Sequence, residues 1–373
     1  TCGPRSMAAK PMSDLLKGTL EHLKHLVAFD TRNPPREIDT GGIFAYIQQQ
    51  LPGFEFSLTD HGAGAVSLLA KRGSPKLLFN VHLDTVPDAP GWSRNPHALL
   101  LAEDKAIGLG ACDIKGAAAA LLAAANATGG DAAFLFSSDE EANDARCIDA
   151  FLASRHGFTD VVVSEPTQCQ AVLAHRDIAA AIVQFSGESG HASAIKDPMQ
   201  SAVHQALRWG SEALVLAERE SHQRFGGLTG MPFNIGKMQG GIKANMVAGE
   251  ASLRFGFRPL PSQSLEQLHR QFAELLPHIP KNYQVTFTGQ PLPAGDTAFA
   301  EQRRLQARDL ADALNLPIGH AVDFWTEAAL FSQAGLNALV YGPGDIAQAH
   351  CADEWVAFAQ LQTAAVTYTE ILS

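Results

Sequence analysis

Two histidines and a set of carboxylates draw attention because each closes or follows a short apolar run. His82 and Asp84 stand two apart in HLD, directly after KLLFNV. Residues two apart on an extended strand project to the same side, so Asp84 can accept a hydrogen bond from the imidazole nitrogen that faces away from a metal. Asp113 lies in the turn GLGACDIKG, where small residues let backbone and carboxylate approach a shared site closely. Ser138-Asp139-Glu140-Glu141 follows AAFLF and sets three carboxylates in a row, which repel one another unless solvated or drawn together by cations. Glu165 follows DVVV, with Pro166 fixing the turn after it, and His350 closes GPGDIAQAH.

Taken singly, each has a plainer reading: HLD as structure, the acidic run as a helix N-terminus, His350 as a surface histidine. Together they form a mixed nitrogen and oxygen donor set suited to zinc, cobalt or manganese rather than calcium. One or two such ions would polarise a carbonyl and lower the pKa of bound water. Glu140, left unligated, would carry the proton from that water to a leaving amine. There is no GxSxG elbow, and no cysteine sits in a nucleophile motif, so water is the expected attacking group. A dinucleotide loop is the competing reading of GLGACD. It lacks the third glycine of GxGxxG, no clear apolar strand precedes Gly108, and no acidic residue ends a second strand at the required offset.

These residues need elements to hold them. Helical spacing of apolar residues runs from Leu15 to Phe29 and again from Ile43 to Gln50, with TRNPPRE breaking the pattern between them. KLLFNV, AAFLF, DVVV and NALVYG read as buried parallel strands, and Gly116–Ala125 and Asp144–Ser154 as helices between them. That alternation predicts an α/β domain with a mostly parallel sheet, in which ligands gather at the carboxyl ends of the strands. From Ala179 to Pro280 the texture changes to antiparallel-like strands, with helices near Met199–Glu218 and Ser264–Leu276. The expected organisation is a catalytic domain over residues 7–177 and 284–373, interrupted by an inserted α+β domain over 178–283.

Composition narrows the partners. The 373 residues carry a formal net charge of −11 and contain no basic patch, which argues against nucleic acid or an anionic membrane surface. The longest apolar run, Ala117–Ala125, is far short of a membrane span. Five scattered cysteines without a CxxC pair fit a reducing cytoplasm. The opening TCGPRSM reads as an added leader over residues 1–6, with a start at Met7 or Met12.

With HLDTVP, GLGACDIKG, SSDEE, SEPT, GESGHAS and GPGDIAQAH in order along nearly the whole chain, the sequence resembles the M20 metallopeptidase family of aminoacylases, carboxypeptidases and deacetylases. The resemblance implies a zinc-peptidase-like catalytic domain interrupted by a ferredoxin-like lid that also forms a homodimer. It makes His82 and Glu165 ligands of different metals, with Asp113 bridging and Glu141 and His350 completing the second site. Glu140 becomes the base, Asp84 the partner of His82, and the peptide bond after Asp113 cis. GESGHAS places His191 where such enzymes deliver a histidine, often from the neighbouring subunit, to a developing oxyanion. Asn245 and Arg258 resemble lid residues that hold a substrate carboxylate, although Arg258 could instead serve a structural ion pair. DFWTEAALF and LVYGPGDIAQAHCADEWV look most like the acetylornithine deacetylase branch. The implied substrate is an Nα-acetyl-L-amino acid of arginine biosynthesis, N-acetyl-L-citrulline ahead of N-acetyl-L-ornithine. Another aminoacylase or dipeptidase of the family, or a non-catalytic metal-binding relative, are the alternatives.

Overall fold

A computed structural model describes residues 12–35 and 37–373. The expected leader over residues 1–6 and the domain start at residue 7 lie outside them. The first helix, Asp14–Ala28, begins where the Ser13 hydroxyl accepts a hydrogen bond from the Leu16 N–H at 3.1 Å, with Asp14 in the favourable first turn. Leu16, Leu20, Leu23 and Val27 form its buried stripe. That stripe packs on the Ala-rich helix Lys115–Ala127, which also meets the closing helix Phe358–Ile371. Alanine permits such close packing, and the Ala-rich helix is buried from Lys115 to Ala125.

The apolar runs become a six-stranded sheet in the order Glu55–Asp60, Val66–Arg72, Ala132–Ser137, Leu77–His82, Asp160–Val163, Asn337–Val340. Leu77–His82 pairs in parallel with Ala132–Ser137 on one side and Asp160–Val163 on the other, placing His82 opposite Ser137 and Asn80 opposite Val163. The two outer pairings, Glu55–Asp60 with Val66–Arg72 and Val66–Arg72 with Ala132–Ser137, are antiparallel. The fold is thus mixed α/β with a mostly parallel centre, as expected, plus an antiparallel edge that the sequence reading did not assign. Lys105–Ile107 is a strand, contrary to the expectation that none precedes Gly108. It is only three residues long and pairs antiparallel with Trp355–Ala357, so it does not make the parallel unit a dinucleotide loop needs.

The chain divides into two compact units, the first running to Ala171 and taking in Leu310–Gly319 and Leu339–Ser373, the second comprising Val172–Asp309 and His320–Ala338. The second unit holds an antiparallel sheet in the order Phe233–Gly240, Glu250–Phe257, Ile178–Ser186, Lys281–Gly289. Helices Ala202–Arg219 and Leu265–Glu274 accompany it. Trp209 is fully buried between them, 5.2 Å from the Phe255 ring, and its indole N–H donates to the Phe272 carbonyl at 3.2 Å. A buried indole thus has both its apolar body and its polar edge satisfied.

Candidate metal centre

The parallel pairings bring the chemistry to one edge of the first unit's sheet. His82 is the last residue of its strand, Glu165 lies two residues past Val163, and Glu140 and Glu141 lie three and four past Ser137. Asp113 is set by the turn before Lys115–Ala127. The Asp113–Ile114 peptide is cis, as the resemblance implied. His350 follows the short turn Ile346–Gln348 and takes a left-handed backbone conformation, φ +60°, uncommon for a residue with a β-carbon.

His82 Nε2 stands 3.1 Å from Asp113 Oδ1 and 3.7 Å from Glu165 Oε1. His350 Nε2 stands 3.3 Å from Asp113 Oδ2 and 3.1 Å from Glu141 Oε1. Each histidine therefore faces a different oxygen of Asp113. Among the described residues the donors fall into three groups whose ligand atoms lie within 4.8 Å of one another: His82, Asp113 and Glu165; Asp113, Glu141 and His350; His82, Glu140 and Glu141. The reading that divided His82 and Glu165 between two metals does not match this arrangement. Leu77–His82 and Asp160–Val163 are adjacent parallel strands, so their carboxyl ends emerge side by side.

The electrostatics suit a cation. Burial opposes a charge on His82, but Asp113, Asp84, Glu165 and Glu140 outweigh it and lift the imidazole well above its ordinary range. Hydrogen bonds from its Nε2 to the carboxylates of Asp113 and Glu141 raise His350 to about 11. Burial pushes Asp113 up, but the two histidines more than reverse this and hold its carboxyl below the usual range, while burial raises Glu141. Two protons held this tightly by carboxylates mark a place arranged for positive charge, and the mixed imidazole and carboxylate donors fit zinc or cobalt.

The surrounding shell differs from expectation in one detail. His82 Nδ1 lies 3.1 Å from the backbone oxygen of Asp84 and 3.5 Å from its Oδ1, so the carbonyl is the nearer acceptor. Asp84 Oδ2 instead accepts from Asn33 Nδ2 and from the Glu141 N–H, both at 3.0 Å. Asn33 and Glu354 are fully or nearly fully buried beside the site, and the sequence reading singled out neither. Glu354 accepts the N–H groups of Gly110, Cys112 and Asp113. Burial, with Asp113 nearby, pushes its carboxyl up to about 7. Burial also pushes the thiols of Cys112 and Cys169 up, which keeps them protonated and poor as nucleophiles.

The remaining predicted residues belong to the second unit. His191 and Asn245 come together there: His191 pairs with Met246, and the Ala192 N–H donates to the Asn245 carbonyl at 3.0 Å. His191 is exposed, with Nδ1 2.7 Å from Ser193 Oγ. Arg258 stands apart in a groove of about 580 Å³ lined also by Phe233, Asn234 and Phe287. Its guanidinium makes no ion pair among the described residues and donates only to the Phe257 carbonyl, at 3.3 Å, so the structural ion pair weighed for it is not formed.

A mixed α/β sheet with two imidazoles and four carboxylates at its carboxyl edge fits a metal-dependent amidohydrolase. Residues 78–373 match Peptidase family M20/M25/M40, and the chain belongs to that family. It is 64% identical over 94% of its length to the N-acetyl-L-citrulline deacetylase of Xanthomonas campestris pv. campestris, covering 96% of that protein. The acetylornithine deacetylase of Aliivibrio fischeri is 31% identical, over 82% of this chain and 84% of its own. Among solved structures, aminopeptidase PepT from Bacillus cereus matches with a TM-score of 0.72 at 16% identity, over 96% of this chain and 98% of that one. A Bacillus subtilis dinuclear metal-binding peptidase of the M20 family matches at 0.62 and 14% identity, over 96% and 98%. No helix among the described residues is long and apolar enough to cross a membrane.

Proposed function

We propose that the chain hydrolyses the amide of an Nα-acetyl-L-amino acid, N-acetyl-L-citrulline before N-acetyl-L-ornithine, giving acetate and the free amino acid in arginine biosynthesis. The observation that carries this reading is the 64% identity, spread over 94% of the chain, to an N-acetyl-L-citrulline deacetylase. In this reading His82, Asp113 and Glu165 hold one zinc or cobalt ion, and Asp113, Glu141 and His350 a second, with one or both positions filled. When bound, these ions supply Lewis-acid polarisation of the amide carbonyl and acidify water.

The chain's own residues do the rest. Glu140 takes the proton from the attacking water and returns it to the leaving nitrogen. Asp84 orients His82 through its carbonyl and holds the Glu141 loop through Oδ2. His191, from the lid of the same or a neighbouring subunit, meets the developing oxyanion, while Asn245 and Arg258 bind the substrate carboxylate. The guanidinium of Arg258, which forms no ion pair among the described residues and lines its groove, supports that role. A homodimer joined through the second unit completes the proposal, supported by exposed Met238, Val285 and Phe287 on that sheet's outer strands. A cytoplasmic setting is supported by four described cysteines free of disulfides.

The test is acetate release from N-acetyl-L-citrulline and N-acetyl-L-ornithine side by side, with cobalt or zinc added and after chelation. Turnover of acetylcitrulline that chelator abolishes and metal restores is the expected result. Inactivity on both substrates with metal present refutes the deacetylase assignment.

A further inference from the structure

Glu354 is only 2% exposed, yet it is a carboxylate in the core of the first unit. Its surroundings explain why it is there. Oε1 accepts the Cys112 N–H at 2.8 Å and the Asp113 N–H at 2.9 Å, and Oε2 accepts the Gly110 N–H at 3.1 Å. Three amides of one turn converge on one side chain. They lie before the helix Lys115–Ala127, where neither helix nor sheet satisfies them, and a buried amide left unbonded is costly. The Glu354 carbonyl also accepts from the Gly108 N–H at 2.9 Å, and the next residue, Trp355, pairs with Ile107.

Glu354 lies four residues beyond His350, so one side chain ties the turn that carries Asp113 to the loop that carries His350. The bond to the Asp113 N–H acts on the backbone of a proposed ligand directly. The turn has little freedom to compensate: Gly110 sits at φ +77°, and a β-carbon there would come within 2.7 Å of Thr85 Cγ2. Lys115, itself buried, donates from Nζ to the Phe29 carbonyl at 3.0 Å.

We propose that Glu354 is a positioning residue that sets where the Asp113 carboxylate stands, and thereby holds the two donor groups in register. The proposal rests on Asp113 being the shared ligand, as in the function proposed above. Partners of this outer kind alter metal affinity by about 10–100-fold when removed.

The experiment uses the full chain with Glu354→Ala, Glu354→Gln and, in parallel, Asp113→Asn. Metal affinity is measured by chelator competition, the visible spectrum is recorded with Co(II), and metal-free folding is followed by thermal denaturation. Glu354→Ala is expected to weaken metal binding about 10–100-fold and shift the Co(II) bands, with kcat falling at saturating metal and KM unchanged. Glu354→Gln keeps one oxygen for Cys112 and Asp113 but turns an N–H toward Gly110, so it is expected to recover most of the affinity and remain about 3–10-fold weak. A folded variant of either kind with the parent's affinity and Co(II) spectrum overturns the proposal, and Gln alone decides if Ala does not fold. Unchanged affinity in Asp113→Asn would instead remove the ligand reading on which the proposal stands.

Discussion

Glu140 and Glu141 are neighbours in the chain with different surroundings. The Glu141 N–H is held by Asp84 and its carboxylate lies 3.1 Å from His350, so it is fixed as a donor. Glu140 falls in the group with His82 and Glu141 and outside both groups that contain Asp113. Replacing it with alanine is therefore expected to leave metal binding within about threefold of the parent while kcat falls at least about 100-fold, the usual contribution of a proton carrier. Metal content and kcat measured on one preparation check this. Retention of most of the activity would hand the proton to another group. The place of these residues could be read early because they follow an apolar strand, where side chains meet ligands, whereas their division into base and ligand came from the family resemblance. Glu354 and Asn33 were not legible in that way: they act on backbone amides and on another carboxylate, and no spacing in the sequence advertises such a partner.

At the scale of elements, the strand ends carry the site, and packing is tight where Asn337–Val340 runs out beside Asp160–Val163. A β-carbon on Gly342 would come within 2.6 Å of the Glu165 carbonyl oxygen and 3.2 Å of its nitrogen. Gly342 is also bound at both backbone groups: its N–H donates to Thr167 Oγ1 at 3.1 Å and its carbonyl accepts from Cys169 at 2.8 Å. The turn cannot retreat without losing those bonds. Gly342→Ala is thus expected to cost about 1–3 kcal/mol of stability and to weaken metal binding through Glu165. Thermal denaturation and chelator competition measure both, and parent-like affinity would show that the Glu165 turn yields without consequence. The central strands were legible because burial on both faces writes a continuous apolar run. The outer strand Glu55–Asp60 was not, since five of its six residues are exposed and no such run marks it.

Stability against pH is a property of the whole molecule, and two buried residues of the second unit, on either side of Arg176, act on it in opposite directions. Burial holds His175 neutral and lowers it to about 4, against 6.5 for the ordinary imidazole. Burial raises Asp177 to about 7 from 3.8, even though Arg258 pulls it down. Both are almost wholly inaccessible. For His175 the unfolded chain binds the extra proton, so its contribution is present above about pH 6.5 and is lost as the pH falls toward 4. For Asp177 the folded chain binds it, so its contribution is present below about pH 4 and is lost as the pH rises through 7. Between about pH 4 and 6.5 the two slopes, each near 1.4 kcal/mol per pH unit, oppose and cancel. Neither is visible in the parent, but each emerges when the other is removed. Asp177→Asn is expected to gain stability relative to the parent as the pH rises from 4 to 7. His175→Gln is expected to gain as the pH falls from 6.5 to 4. Comparing each variant's melting temperature with the parent's at every pH removes the titration of the metal site, which all three proteins share. Differences that stay flat from pH 4 to 7 would mean that water reaches these two side chains and that their burial does not govern their protonation.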